Sequence, residues 1–170
     1  KIIVLVESHL DEVGLCLTNR LSPTTYQFVT IGQSLPEELV NGKVSITTRL
    51  GAINGRINAT AQNPQTLADL QVNFPRPTKL QPGTVGYYQR FFRLQKNLIS
   101  SPALDNRVGC AALLSCLPSI KSNPKATYIF ALTSQEEQGQ GKGAAAVAQK
   151  FKPDFAVVVA PSTLEGGLKV

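Results

Sequence analysis

The chain has 170 residues, 42% of them apolar, and a formal net charge of +6. That length suits one domain, or one domain that carries an insertion, and the apolar content suits a globular core. No apolar run approaches the roughly 18 residues that a membrane-spanning helix needs, so we expect no membrane partner.

The first part of the chain consists of short apolar segments separated by turns. An apolar, β-branched run, Lys1–Glu7, predicts a buried strand of a parallel sheet. Turn signals such as Asn41-Gly42 and Pro82-Gly83 divide residues 13–98 into short alternating segments, which indicate a small all-β sandwich or barrel. The expected strands are Gly14–Thr18, Tyr26–Ile31, Lys43–Thr48, Ile53–Ile57 and Asp69–Phe74.

From residue 99 the pattern changes to alternating helices and strands. Asp105 or Asn106 is a suitable cap for a helix, which we expect to be largely buried because apolar residues cover most of its circumference. A strand to Leu132, a helix to about Phe151 and a last strand, Phe155–Ala160, follow.

This order of elements predicts an α/β fold with a mostly parallel sheet flanked by helices. We expect residues 1–12 and 99–170 to form that domain. Residues 13–98 are then an inserted, β-rich domain.

The three cysteines, Cys16, Cys110 and Cys116, all lie among apolar residues. Their odd count and the lack of C-x-x-C spacing argue against a disulfide framework or a zinc knuckle. Reduced core thiols and a cytoplasmic location are therefore expected.

A modest basic cluster, Arg90, Arg93 and Lys96, lies beside aromatic residues. Basic and aromatic residues together can bind nucleic acid or another anionic surface, but no recognition-helix pattern, zinc finger or RNP-like motif accompanies them. A strand with a solvated basic face is the better interpretation, and nucleic acid is not an expected partner.

Two adjacent carboxylates, Glu136 and Glu137, follow the strand that ends at Leu132. The carboxyl ends of parallel strands are where α/β sheets place ligand-binding and catalytic groups. Neighbouring like charges repel each other unless a cation or a proton lies between them. The alternative is a solvated Glu-Glu turn.

His9, the single histidine of the chain, stands at the end of the first strand. Asp11, two residues on, suits a carboxylate that fixes the imidazole tautomer. His9, Asp105 and Glu137 each fall at the end of an element, and histidine with carboxylates is a ligand set for Zn, Co or Mn. Glu136 would then be placed to accept a proton from water. A structural role for His9 is the alternative.

Three segments carry a resemblance to a known family. They are His9-Leu-Asp-Glu-Val-Gly14, Ala103-Leu-Asp-Asn-Arg-Val-Gly109 and Gln135-Glu-Glu-Gln-Gly139. In this order, and with a β-rich insertion after the first, the chain resembles the tetrahedral aminopeptidases, metallopeptidase family forty-two, which include the glutamyl and deblocking aminopeptidases. The resemblance implies a phosphorylase/hydrolase-like metallopeptidase domain that removes N-terminal residues from peptides.

The resemblance also implies residue roles in a site with two divalent metal ions. His9 would bind one metal, Asp105 would bridge both, and Glu137 would bind the other. Asp11 would orient His9, and Glu136 would be the general base. The family assembles into homo-oligomers, hollow tetrahedral dodecamers, partly through the inserted domain.

One position departs from the family pattern. Ala160 stands where the family has a metal-binding Asp, and a methyl group binds no metal. Glu165 is a weak candidate to replace it, and the resemblance implies a further strand–helix unit before Lys1 and a last His ligand after Val170. The sequence therefore predicts a weakened metal site. The alternative function is a non-catalytic relative that acts as a scaffold or peptide-binding subunit.

Overall fold

The computed structural model describes residues 1–139 and 141–161 of the chain, which contain eleven strands and three α-helices. The strands are β1 (Ile2–His9), β2 (Gly14–Arg20), β3 (Thr25–Ile31), β4 (Lys43–Thr48), β5 (Gly51–Ala59), β6 (Leu70–Asn73), β7 (Val85–Tyr88), β8 (Arg93–Gln95), β9 (Leu98–Ser100), β10 (Ala126–Thr133) and β11 (Phe155–Val158). The α-helices are α1 (Pro36–Leu39), α2 (Leu104–Cys116) and α3 (Lys142–Phe151), and short 3₁₀ turns span Leu67–Asp69 and Leu117–Ser119.

The chain divides into two compact units. One contains Lys1–Glu12 together with the chain from Phe92 onward, and the other is Val13–Phe91. The second boundary thus falls at Phe91–Phe92, whereas the sequence suggested residues 98 and 99. Strands β8 and β9 account for the difference, because they pair only with each other and not with a strand of the second unit.

The first unit contains a parallel sheet of three strands in the order β10-β1-β11. Gly109 of α2 lies so close to Ser8 that an added Cβ would be 2.6 Å from the Ser8 hydroxyl oxygen, and a Cβ added at Gly143 of α3 would be 2.9 Å from the Thr133 Cβ. The register pairs His9 with Thr133, so Ser8 points to the opposite face. The two helices therefore flank opposite faces of the sheet, which confirms the predicted α/β architecture.

The second unit is a closed, antiparallel barrel with the strand order β2-β3-β6-β5-β4-β7. Its alternating sequences place every second side chain inside, as with Leu15 and Leu17 of β2. The main buried cluster lies here, and the insertion of a small all-β domain is confirmed. The cluster consists of Leu15, Leu17, Tyr26, Phe28, Leu39, Val44, Ile46, Ile57, Leu70, Val72, Phe74 and Tyr88.

The hydroxyl of Tyr26 is a polar group inside the barrel core. The Tyr26 hydroxyl donates to the Thr78 carbonyl oxygen at 3.0 Å. It accepts from the Thr78 hydroxyl at 2.9 Å and from the Leu80 N–H at 3.3 Å. These bonds satisfy the hydroxyl inside an apolar core.

Helix α2 is less buried than its apolar composition predicts. Gly109, Cys110 and Leu113 are buried, whereas Val108 and Leu114 are about half exposed. The prediction of a largely buried helix is wrong because only one helix face packs on the sheet. The expectation that all three cysteines lie in the core is also wrong, since Cys116 is exposed. Within the described residues, no helix combines the length and apolar character needed to cross a bilayer.

Candidate active site

Three sequence segments converge on the imidazole of His9, the last residue of β1. Its Nε2 atom lies 3.3 Å from Asp105 Oδ1 and 3.9 Å from Glu136 Oε2. The residue is only 6% exposed, and the Leu10 N–H continues the sheet past it by bonding the Thr133 carbonyl oxygen at 2.8 Å. His9 is therefore fixed on a rigid strand end with Nε2 directed at carboxylates from two other segments.

Asp11 connects the first and third segments. Its Oδ1 atom lies 3.3 Å from His9 Nδ1, within ion-pair distance but without the alignment of a directed hydrogen bond. Its Oδ2 atom accepts a hydrogen bond of 3.2 Å from the backbone N–H of Glu137. One carboxylate thus contacts the ring of His9 and holds the loop that carries both glutamates. Sequence reasoning predicted the first contact and missed the second.

Asp105 is held at the start of α2 by its neighbour Asn106. Both residues have non-helical backbone angles, and the peptide bond between them is cis. Asn106 is fully buried: its Nδ2 donates to the Val159 carbonyl oxygen at 2.6 Å, and its own carbonyl oxygen accepts from the Ser8 hydroxyl at 3.2 Å. These bonds tie the helix start to β1 and to the end of β11. The Asp105 side chain itself is 66% exposed and is available to a ligand.

Glu136 and Glu137 lie in the turn between β10 and α3. The Gly139 N–H bonds the Glu136 carbonyl oxygen at 2.8 Å and closes the turn. The Glu136 side chain is half exposed, whereas Glu137 is partly buried. Burial, and next the charge of Glu136, raise the pKa of the Glu137 carboxyl; Asp105 and Asp11 act in the same direction, and His9 opposes them.

The donor set fits a divalent cation. Ligand atoms of His9, Glu136 and Glu137 all lie within 4.8 Å of one another, and Asp105 lies 3.3 Å from the same imidazole nitrogen. Imidazole and carboxylates are ligands for zinc and for other divalent transition metals. Burial is the main cause of the raised pKa of Glu137, and repulsion from the neighbouring carboxylates adds to it. A bound cation would relieve that repulsion.

Ala160 lies two residues beyond the end of β11 and is exposed. It carries no donor atom, so the end of this strand contributes no side-chain ligand at that position. Glu165, the candidate replacement, lies outside the described residues.

A buried carboxylate that was not predicted lies near the site. Glu7 of β1 is 4% exposed, and its Oε1 atom accepts a hydrogen bond from the Thr133 hydroxyl. The available signal was its position, since Glu7 is the single charged residue in the apolar run from Ile2 to Ser8.

Fold and site together define an α/β domain with an inserted barrel and a histidine–carboxylate cluster at the carboxyl edge of its sheet. The sequence profile of the M42 glutamyl aminopeptidases matches residues 1–168. The chain belongs to this family.

Curated relatives support the same assignment. The chain is 29% identical over 174 residues to the putative aminopeptidase FrvX of Escherichia coli (strain K12), covering 92% of this chain and 48% of FrvX. It is 26% identical over 184 residues to the glutamyl aminopeptidase of Lactococcus lactis subsp. cremoris (strain MG1363), covering 94% and 51%. The chain therefore spans about half the length of these relatives.

Solved structures of aminopeptidases have the same fold. Aminopeptidase APDkam598 from the archaeon Desulfurococcus kamchatkensis superimposes with a TM-score of 0.83 at 25% identity, over 98% of this chain and 50% of that one. PhTET1-12s, solved as a dodecamer in the asymmetric unit, gives a TM-score of 0.81 at 25% identity, over 93% and 52%.

Proposed function

We propose that the protein containing this chain is a metal-dependent aminopeptidase that removes N-terminal residues from peptides. The observation that carries the proposal is the convergence of Asp105 and Glu136 on His9 Nε2. Each of the three residues comes from a different segment of the chain. Membership of the M42 family supports this reading of the cluster.

The donors divide into two sets that share Asp105. His9 and Asp105 would hold one divalent cation, and Asp105 and Glu137 would hold the other. When bound, such cations supply Lewis-acid activation of the scissile carbonyl and lower the pKa of the attacking water. Zinc, cobalt and manganese all suit these ligand types.

Glu136 is the proposed general base. Its side chain is half exposed, with Oε2 3.9 Å from His9 Nε2, so it reaches the cluster and remains accessible to a substrate. It would take a proton from the attacking water and deliver it to the amine that leaves when the peptide bond breaks. Asp11 would act through His9 and the Glu137 backbone as a positioning residue.

The test compares Glu136→Gln with the unaltered protein in a peptide assay. We expect N-terminal residues to be released by the unaltered protein, and a chelator to abolish that release. Glu136→Gln should lower kcat by about 10²–10⁴-fold, which is the usual contribution of a general base. The control is Glu37→Gln, which removes an exposed carboxylate of α1 and should leave kcat unchanged. Equal activity of the Glu136 and Glu37 variants would remove Glu136 from the mechanism.

The absence of a ligand at Ala160 favours a second candidate, a non-catalytic relative that serves as a scaffold or peptide-binding subunit. A chelator melt separates the two. A bound metal stabilises the fold by mass action, so its removal should lower Tm if the site is occupied. An unchanged Tm would favour the second candidate.

The proposal also includes a homo-oligomeric assembly and a cytoplasmic location. The dodecamer of PhTET1-12s supports a homo-oligomer for the protein that contains this chain. The free thiols of Cys16, Cys110 and Cys116 support a reducing, cytoplasmic environment. Sedimentation of the purified protein would measure its assembly directly.

A further inference from the structure

Glu7 is a buried acid that has no basic partner within the described part of the chain. Glu7 and His9 are the two acidic or basic side chains among the buried residues described, at 4% and 6% exposure. Within residues 1–139 and 141–161, no Lys, Arg or His nitrogen lies within 4.0 Å of the Glu7 carboxylate. Buried charges are normally paired or bound to a metal, because an unpaired one is costly to remove from water.

Glu7 and His9 share one face of the sheet. Successive side chains of a strand point to opposite faces, so residues two apart lie on the same side, about 6.6 Å apart along the strand. The register pairs Glu7 with Ala131 and His9 with Thr133. The Glu7 carboxylate nevertheless accepts its hydrogen bond from Thr133, which lies two residues beyond its register partner Ala131. Its side chain therefore extends toward the carboxyl edge and reaches the level of His9.

The same register, continued beyond β11, would place Ala160 in this row of side chains. Glu7 pairs with Val158 of β11, and the Val159 N–H continues that ladder by bonding the Glu7 carbonyl oxygen at 2.9 Å. Two residues after Val158, Ala160 would then fall on the same face as Glu7, beside His9. A carboxylate at residue 160 would approach the imidazole from β11. Glu7 brings a carboxylate to the same row from within β1.

We propose that Glu7 supplies the carboxylate ligand that Ala160 cannot, completing the set around the cation held by His9 and Asp105. The inference rests on the proposed function, because it requires that cation. In the structure the Glu7 carboxylate bonds Thr133 and lies outside the closest ligand group of His9, Glu136 and Glu137. Rotation about its side-chain torsions would let the carboxylate exchange the Thr133 hydroxyl for the cation.

The experiment measures metal binding and not activity. The natural protein is stripped with chelator and titrated with cobalt by calorimetry, and bound cobalt is counted by elemental analysis. Glu7→Gln keeps the shape of the side chain and its ability to accept the Thr133 hydrogen bond, but removes the negative charge. Loss of an orienting group typically costs 10–100-fold in metal affinity, so loss of a direct ligand should weaken one of two cobalt sites by more than about 100-fold.

Two further variants make the result specific. Adding Ala160→Asp to Glu7→Gln should restore the weakened site, because it places a carboxylate in the same row. Glu12→Gln is the control: it removes an equal charge that faces Arg107 at 3.7 Å, and cobalt affinity should stay unchanged. Circular dichroism of each metal-free variant checks that it is folded.

The outcomes separate this inference from the proposed function. If the unaltered protein binds no cobalt, both fail. If it binds two cobalt ions and Glu7→Gln binds them equally tightly, Glu7 is not a ligand and the proposed function stands. A loss of less than about 100-fold, or no rescue by Ala160→Asp, also overturns the ligand role. A larger loss with rescue supports it.

Discussion

Asp11→Asn tests the coupling between the first and third segments of the site. Asp11 faces His9 Nδ1 with one oxygen and accepts the Glu137 N–H with the other. In the variant, the remaining oxygen can keep only one of these contacts. If it keeps the Glu137 N–H, the amide nitrogen faces Nδ1 and favours the imidazole tautomer that carries its proton on Nε2. That proton occupies the position where a cation would bind.

The expected cost follows from the contact that is lost. Removal of the outer-sphere partner of a metal-bound histidine typically costs about 10–100-fold in metal affinity. We therefore expect cobalt affinity at the His9 side to fall by one to two orders of magnitude, with the fold intact.

Cobalt titration of Asp11→Asn beside the unaltered protein measures this effect. Asp154→Asn is the matched control, because Asp154 is an exposed carboxylate of the same unit that bonds the Ile3 N–H and not His9. An Asp11→Asn protein that binds cobalt as tightly as the control would refute the reasoning. So would a loss of affinity that also appears in the control.

Two further predictions concern stability. Because the pKa of Glu137 is raised in the metal-free fold, the folded state holds its proton to higher pH than the unfolded chain does. The metal-free protein should then lose stability as pH rises from the ordinary carboxyl range through that raised pKa. Glu137→Gln should remove this slope in urea unfolding, and a variant with the slope unchanged would contradict the assignment. In the barrel, Tyr26→Phe leaves the polar groups that bond its hydroxyl without a partner, and should cost about 1–3 kcal/mol. The exposed Tyr87 provides the control, since Tyr87→Phe should change stability by less than about 0.5 kcal/mol, and equal losses would count against the explanation.

The order and type of the main elements could be predicted because periodicity and turn residues are local signals. Lys43–Thr48 was predicted with the bounds the structure has, since a turn residue precedes the strand and alternation marks its buried face. The expectation that His9, Asp105 and Glu137 lie near one another rests on a general property of parallel sheets, whose carboxyl ends share an edge.

The remaining features depend on backbone and side-chain torsion angles and on spatial neighbours, which a sequence pattern does not specify. Asp11 reaches the Glu137 backbone only because a particular turn presents that N–H. In the sequence, Glu7 is a single charged residue in an apolar strand. The direction of its side chain is known only from its hydrogen bond with Thr133. The exposure of Val108 shows the same limit for a helix, because burial depends on how many faces find a partner as well as on composition.

The pairing of Gly14 with Tyr87 has a consequence for how the chain folds during synthesis. Strand β1 emerges before the insertion but pairs with β10 and β11, so these pairs form only after the whole insertion is made. The barrel has a core of its own, and closing it joins its first and last strands at Gly14 and Tyr87. The effective loop between β1 and β10 then shrinks to less than half its length, and each halving reduces the entropic cost by about 0.6 kcal/mol. A barrel that folds early would therefore shorten the effective loop between β1 and β10. A different domain whose first and last residues also lie close together could replace the barrel without lengthening that loop.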